Sequence, residues 1–163
     1  MKALHSIVIL LALASAALAG VWRTEFVDTA SQVNLETSIA LDDEDSPHIL
    51  YFDDINHEYA LKYAYWNNST WNFETIISGS LSYSDNSLTL DNEGNPHIIF
   101  NSGDDSIIYA YLSDESWHFE TIASEEGMGA CLSLALDSQG KPCIAYYNYT
   151  LRDLKYIFWD GGQ

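Results

Sequence analysis

The chain carries the same segment three times. One copy reads SIALDDEDSPHILYFDD from Ser38 and LKYAYWNNSTWNFETI from Leu61. The next reads SLTLDNEGNPHIIFNSG from Ser87 and IIYAYLSDESWHFETI from Ile107, and the third SLALDSQGKPCIAYYNY from Ser133 and LKYIFWDGGQ from Leu154. Asp42, Asp91 and Asp137 correspond, as do Pro47, Pro96 and Pro142, so the period is 49 and then 46 residues. A period of that size means one supersecondary unit per copy, too small to bury its apolar surface alone and therefore stacked on its neighbours.

Each copy holds four strand-like runs. In the first copy they are Ser38–Leu41, His48–Phe52, Leu61–Trp66 and Trp71–Ile76. The first turn is Asp-x-x-Gly/Asp-x-Pro: Asp accepts from the backbone two residues on, Gly or Asp takes positive φ, and Pro closes the turn without needing a donor. Asp42, Asp91, Asp137, Pro47, Pro96 and Pro142 are therefore turn-forming residues. A polar loop at Asp53–Asn56 and a tight turn at Asn67–Thr70 join the remaining strands into an antiparallel meander.

Both faces of these strands are apolar or small. Ile39 and Leu41 alternate with Ser38 and Ala40, and Ile49 and Tyr51 alternate with Leu50 and Phe52. A sheet with one wet face alternates apolar with charged residues, whereas two dry faces mean that each sheet lies between others. The predicted fold is all-β: three four-stranded antiparallel repeats stacked as β-propeller blades, in a partial ring or as half of a dimeric six-bladed ring. A parallel β-helix fits less well, because its coils are shorter and do not turn back as hairpins.

Residues 1–19 read as a signal peptide: Lys2, then an apolar run from Ile7 to Leu18, then Ala17-Leu18-Ala19 before Gly20. The expected product is secreted, either extracellular or periplasmic, and spans residues 20–163. Within it, 20–36 is a closing strand and linker, 37–85 the first blade, 86–131 the second, and 132–163 a third blade lacking its outer strand. The closing strand is Trp22–Val27, which matches only the fourth strand of the repeat, Trp71–Ile76. Trp66 to Trp71 and Leu112 to Trp117 are both five residues, and the same step from Trp159 passes Gln163. Two resolutions are open. Two chains exchange terminal strands as a homodimer, or the sequence is a fragment of a longer gene; the unpaired edges of a lone three-blade chain favour the fragment.

The pattern Ser-x-x-Leu-Asp-x-x-Gly-x-Pro-His-Ile, Leu-Lys-Tyr-Ala-Tyr-Trp, Trp-x-x-Glu-Thr-Ile resembles the repeats of exported prokaryotic β-propeller proteins, which are distantly sialidase-like. The resemblance covers the mature chain and implies fold rather than activity. The sialidase Asp-box is not matched, because Pro142 stands where Thr-Trp would follow Gly140, and no active site carries over.

The 24 acidic residues against 6 basic ones repel phosphate backbones, which argues against nucleic acid, and nothing after the signal is long and apolar enough to insert in a membrane. Gly-x-Ser-x-Gly, His-Glu-x-x-His and phosphate-loop motifs are absent. His48 and His97 share one repeat position, with Cys143 the third, and repeated residues around a ring converge on a ligand; the plainer role is bonding to turn carbonyls. Trp66, Trp117 and Trp159 are candidate sugar platforms, against the plainer role of packing between blades. Asp42, Asp91 and Glu93 lie in oxygen-rich turns that would suit calcium, the one cofactor considered, although turn formation alone explains both Asp residues. Asp53, Asp54, Asp104 and Asp105 are the carboxylates a glycosidase would draw on. Cys131 and Cys143 are expected to be out of register and unbridged, with Cys143 opposite Ala135 and Cys131 opposite Tyr147. The favoured reading is a non-catalytic module that binds a glycan or protein or serves as a surface scaffold. The alternatives are a sialidase-like hydrolase with an incomplete site and a calcium-stabilised structural repeat.

Overall fold

The computed structural model describes residues 21–161 apart from 31, 56–57, 80, 82–84 and 128–129, so the expected signal peptide lies outside the described residues. Eleven strands form three antiparallel sheets. Sheet I holds β1 (Val33–Leu41), β2 (Pro47–Ile55), β3 (Glu58–Trp66) and β4 (Trp71–Gly79). Sheet II holds β5 (Asn86–Leu90), β6 (Pro96–Asn101), β7 (Ser106–Ser113) and β8 (Ser116–Ser124). Sheet III holds β9 (Ala130–Leu136), β10 (Pro142–Asn148) and β11 (Asp153–Phe158). Within each sheet every strand pairs with the one before it, as a meander requires.

Registers repeat between sheets. Leu41 faces Pro47, Leu90 faces Pro96 and Leu136 faces Pro142, so the three Asp turns close the same hairpin. Asp42 Oδ1 accepts the Glu44 and Ser46 backbone N–H groups at 2.9 and 2.8 Å. Asp91 Oδ1 accepts those of Glu93 and Asn95, both at 2.8 Å, and Asp137 Oδ1 those of Gln139 and Lys141 at 2.8 and 2.9 Å. One carboxylate thus satisfies two donors that the chain reversal would leave unpaired.

Strands extend further than their apolar runs. β1 opens at Val33, inside the segment expected to be linker, and β2 runs through Asp53 to Ile55 rather than ending at Phe52. Asp53 remains in the strand because Lys62, on the neighbouring strand, approaches its fully buried carboxylate at 3.1 Å. A buried charge is tolerated only when paired in this way.

Sheet II is apolar on both faces. Toward sheet I, Leu88, Ile98, Phe100 and Ala110 pack on Leu50, Phe52, Leu61, Tyr63 and Ile76. Toward sheet III, Ile99, Ile107 and Tyr109 pack on Leu132, Leu134, Ile144 and Tyr146. The first strands adjoin one another through a repeated bond: the Leu88 N–H donates to Ser38 Oγ at 2.9 Å, and the Leu134 N–H to Ser87 Oγ at 3.1 Å. Residues 22–27, the expected closing strand, pair with no strand among the described residues.

Both cysteines are free thiols. Cys143 faces Ala135 as expected, but Tyr147 faces Ala130 rather than Cys131, because a register shift lies between Ala145 and Tyr147 and Cys131 takes a positive φ of 56°.

Candidate functional site

At the Asp-turn end of sheets I and II, a carboxylate, an imidazole and a phenol form a short chain. His48 Nε2 lies 3.6 Å from Asp42 Oδ2, and His48 Nδ1 bonds the Tyr63 hydroxyl. In sheet II, His97 Nε2 lies 3.5 Å from Asp91 Oδ2, and Nδ1 bonds the Tyr109 hydroxyl. The histidines were expected to bond turn carbonyls. They bond side chains instead, because the β2–β3 and β6–β7 registers set the third-strand tyrosine diagonally across from each ring. With the imidazole neutral, Nε2–H faces the carboxylate and Nδ1 accepts from the phenol.

Electrostatics favour that neutral form. Burial holds both histidines below the usual imidazole value, against the opposing pull of Asp42 and Asp91. The Ser46 backbone bond leads those that keep the Asp42 carboxyl below its ordinary value. Burial pushes Asp91 upward, but the bonds from Asn95, Glu93 and His97 outweigh it, and the net shift is downward. Burial also raises the Tyr63 and Tyr109 hydroxyls, which stay protonated. Both imidazoles are buried, so the groups are positioned to hold the turn against the third strand rather than to meet solvent. In sheet III, Cys143 replaces the histidine, and its bond to Tyr156 is the main cause raising that phenol.

The tryptophans divide by environment. Trp66 and Trp71 meet edge to face, 5.6 Å between ring centroids, at the β3–β4 hairpin. Trp117 packs between sheets, edge-on to Tyr63 at 5.9 Å, with its Nε1–H donating to Glu74 Oε2 at 3.3 Å. Trp159 is half exposed and lines a groove of about 450 Å³ between sheets II and III. Tyr111, its ring stacked on His97 and His118 at 5.9 and 5.0 Å, borders the same groove with Lys141 and Pro142. Gly140 borders this groove and also a polar cleft of about 270 Å³ containing Asp91, Asn92 and Asp137. A matching cleft of about 420 Å³ between sheets I and II is lined by Asp42, Glu44, Asn92 and Glu93.

Asp42, Asp91 and Glu93 line one cleft between sheets I and II, whereas the carboxylate candidates are scattered. Among the described residues, no group of three or more His, Cys, Asp or Glu is arranged to hold a metal ion. Asp42 and Asp91 are committed to their turns, while Glu93 is exposed beside Asp91. Asp53 is paired with Lys62 inside sheet I, whereas Asp104 and Asp105 sit in the exposed β6–β7 loop of sheet II. Sequence reasoning missed Tyr63, Tyr109 and Tyr156, although their shared repeat position on the third strand was the available signal.

No protein-family model matches the chain, and no curated protein matches it in sequence. Its structure is similar to that of a fucose lectin from Kordia zhangzhouensis in complex with methyl-fucoside. The TM-score is 0.56 at 20% identity, covering 78% of this chain and 94% of that one. The likeness is one of all-β fold.

Proposed function

We propose that the protein is an exported, non-catalytic β-propeller module that binds a glycan in the cleft between sheets II and III. One observation carries the reading: Trp159 and Tyr111 border a groove that adjoins, at Gly140, a cleft holding Asp91, Asn92 and Asp137. A neutral sugar needs an aromatic surface for its C–H face and fixed acceptors for its hydroxyls, and a concave site offering both is the common form of a small-ligand pocket. Asp137 is suited to accept, since the Lys141 and Gln139 backbone bonds hold its carboxyl below the usual value and keep it ionised. The fold likeness to a lectin that binds a fucoside supports the same ligand class.

Trp66 and Trp117 serve packing in this reading, and His97, stacked on Tyr111, stiffens the groove wall. A glycan array that includes fucosides, followed by calorimetry on the hits, tests it. Trp159→Ala and Tyr111→Ala are each expected to weaken binding at least tenfold with the fold intact by circular dichroism. Turnover of chromogenic glycosides without stable glycan binding would instead favour the hydrolase reading.

A further inference from the structure

Among the described residues, sheets I and III each have a face that no other sheet covers. On sheet III, Leu154 is 81% exposed, whereas Leu61 and Ile107, at the same repeat position in sheets I and II, are fully buried. Tyr156 and Phe158 are exposed on the same face. On sheet I, the opposite-handed face exposes Ile39 and Leu41. A groove of about 490 Å³ opens there, between β1–β2 and residues 25–28. These are the two halves of a junction already seen twice: the face of sheet III corresponds to the Leu61 and Tyr63 face of sheet I, and that of sheet I to the Leu88 and Ile98 face of sheet II.

Residues 22–27 show what belongs in the gap. In the junction between sheets I and II, Trp117 of one fourth strand donates to Glu74 of the preceding fourth strand at 3.3 Å. Trp71 donates to Glu25 Oε1 at 3.4 Å in the same way. Trp22-Arg23-Thr24-Glu25-Phe26-Val27 aligns with Trp71-Asn72-Phe73-Glu74-Thr75-Ile76, and Glu25 falls on Glu74. The segment therefore stands where the fourth strand of a sheet preceding sheet I would stand, yet among the described residues it has no strand partner. Trp22 is 100% exposed, and Phe26 is almost as open. Tyr51 and Lys62 anchor the following Asp28 on sheet I, at 2.7 and 3.5 Å.

We infer that a second copy of this chain supplies sheet III to that gap, its β11 pairing with Trp22–Val27, so that two copies close one ring of six sheets. Among the described residues β11 has β10 on one side and no strand on the other. The β3–β4 and β7–β8 registers place Trp22 opposite Trp159, Thr24 opposite Ile157 and Glu25 opposite Tyr156 of the second copy. Trp22 then meets Tyr109 and Glu120 there, as Trp117 meets Tyr63 and Glu74. It stands beside Trp159 at the edge of the groove between sheets II and III, as Trp71 stands beside Trp66, and leaves Tyr111 and Lys141 lining the rest. The Ile39 N–H donates to Ser133 Oγ of the second copy, repeating the Leu88–Ser38 and Leu134–Ser87 bonds. The contact is head to tail, so two copies make it twice, each covering the exposed faces of the other's sheets I and III.

Light scattering on the purified protein tests this, with twice the chain mass expected; a monomer or a trimer overturns it. In a background with Cys131 and Cys143 changed to Ser, Thr24→Cys with Ile157→Cys should cross-link into covalent dimers under mild oxidation. Thr24→Cys with Phe158→Cys, one residue out of register, should not. Cross-linking within one chain, or equal yields from the two pairs, overturns the pairing. Because Trp22 touches little in the single chain, Trp22→Ala should fold normally and raise the dimer dissociation constant at least tenfold; an unchanged constant overturns the role assigned to it. Glycan binding by a monomer would leave the proposed function standing while removing the ring.

Discussion

Trp117→Ala separates a packing tryptophan from a sugar platform. Removing a fully buried Trp side chain costs about 3–5 kcal/mol. Trp117 is half buried, which places it at the lower end, about 3 kcal/mol. Within that, the edge contact with Tyr63 contributes roughly 1 kcal/mol. The indole N–H bond to Glu74 contributes about 1 kcal/mol, being long at 3.3 Å and partly solvated. With a urea slope of about 2 kcal/mol/M, the midpoint should fall by about 1.5 M, and by a smaller amount, about 0.5–1 M, for Trp117→Phe, which keeps one aromatic ring but loses the donor and part of the packing. A double-mutant cycle with Glu74→Ala, which removes the acceptor, should recover a coupling of about 0.5–1 kcal/mol. An unchanged midpoint together with lost glycan binding would refute the packing assignment and make Trp117 a ligand contact.

Acid should weaken the fold through its two buried imidazoles. Their folded values lie below the ordinary 6.5, so the unfolded chain binds more protons as pH falls, and stability is complete above about 6.5 and declines below it. Urea midpoints at pH 8 and pH 5 should show that decline, and His48→Gln with His97→Gln should flatten it. Gly127→Ala should destabilise by roughly 1–3 kcal/mol in urea titrations, because a Cβ at φ +79° would lie 2.7 Å from the Thr150 backbone nitrogen. Chelator should leave the thermal midpoint unchanged, since the Asp42 and Asp91 carboxylates already serve their own turns; a drop of several degrees would restore calcium to the account.

Much of the architecture was readable because its signals are short-range. The Asp-x-x-Gly-x-Pro turn acts within five residues, and alternation along a strand assigns faces without knowledge of the neighbour. The limits of the strands were not readable in that way. Asp53 looks like a loop residue until Lys62, nine positions later, is known to lie beside it. The histidine contacts depend on the register of two strands, and the Trp117–Glu74 and Trp71–Glu25 bonds depend on how whole elements stack. Both lie beyond any local pattern, although repeat alignment already set Glu25, Glu74 and Glu120 in one column. For the candidate cleft, Trp159 was visible as a repeated aromatic, but its pairing with Tyr111 and Lys141 came only from the angle at which sheets II and III meet.

The serine that ties each inner strand to the next has a consequence for how such a chain changes over generations. Ser38 and Ser87 bind a backbone N–H, a group every non-proline residue presents, so the joint does not depend on which side chain arrives. A duplicated or deleted copy of the unit meets its new neighbour with a working fastening already in place. Side chains elsewhere on the faces then adjust afterwards, and sequence drift between copies, such as Cys143 where the other two carry histidine, leaves the joint untouched.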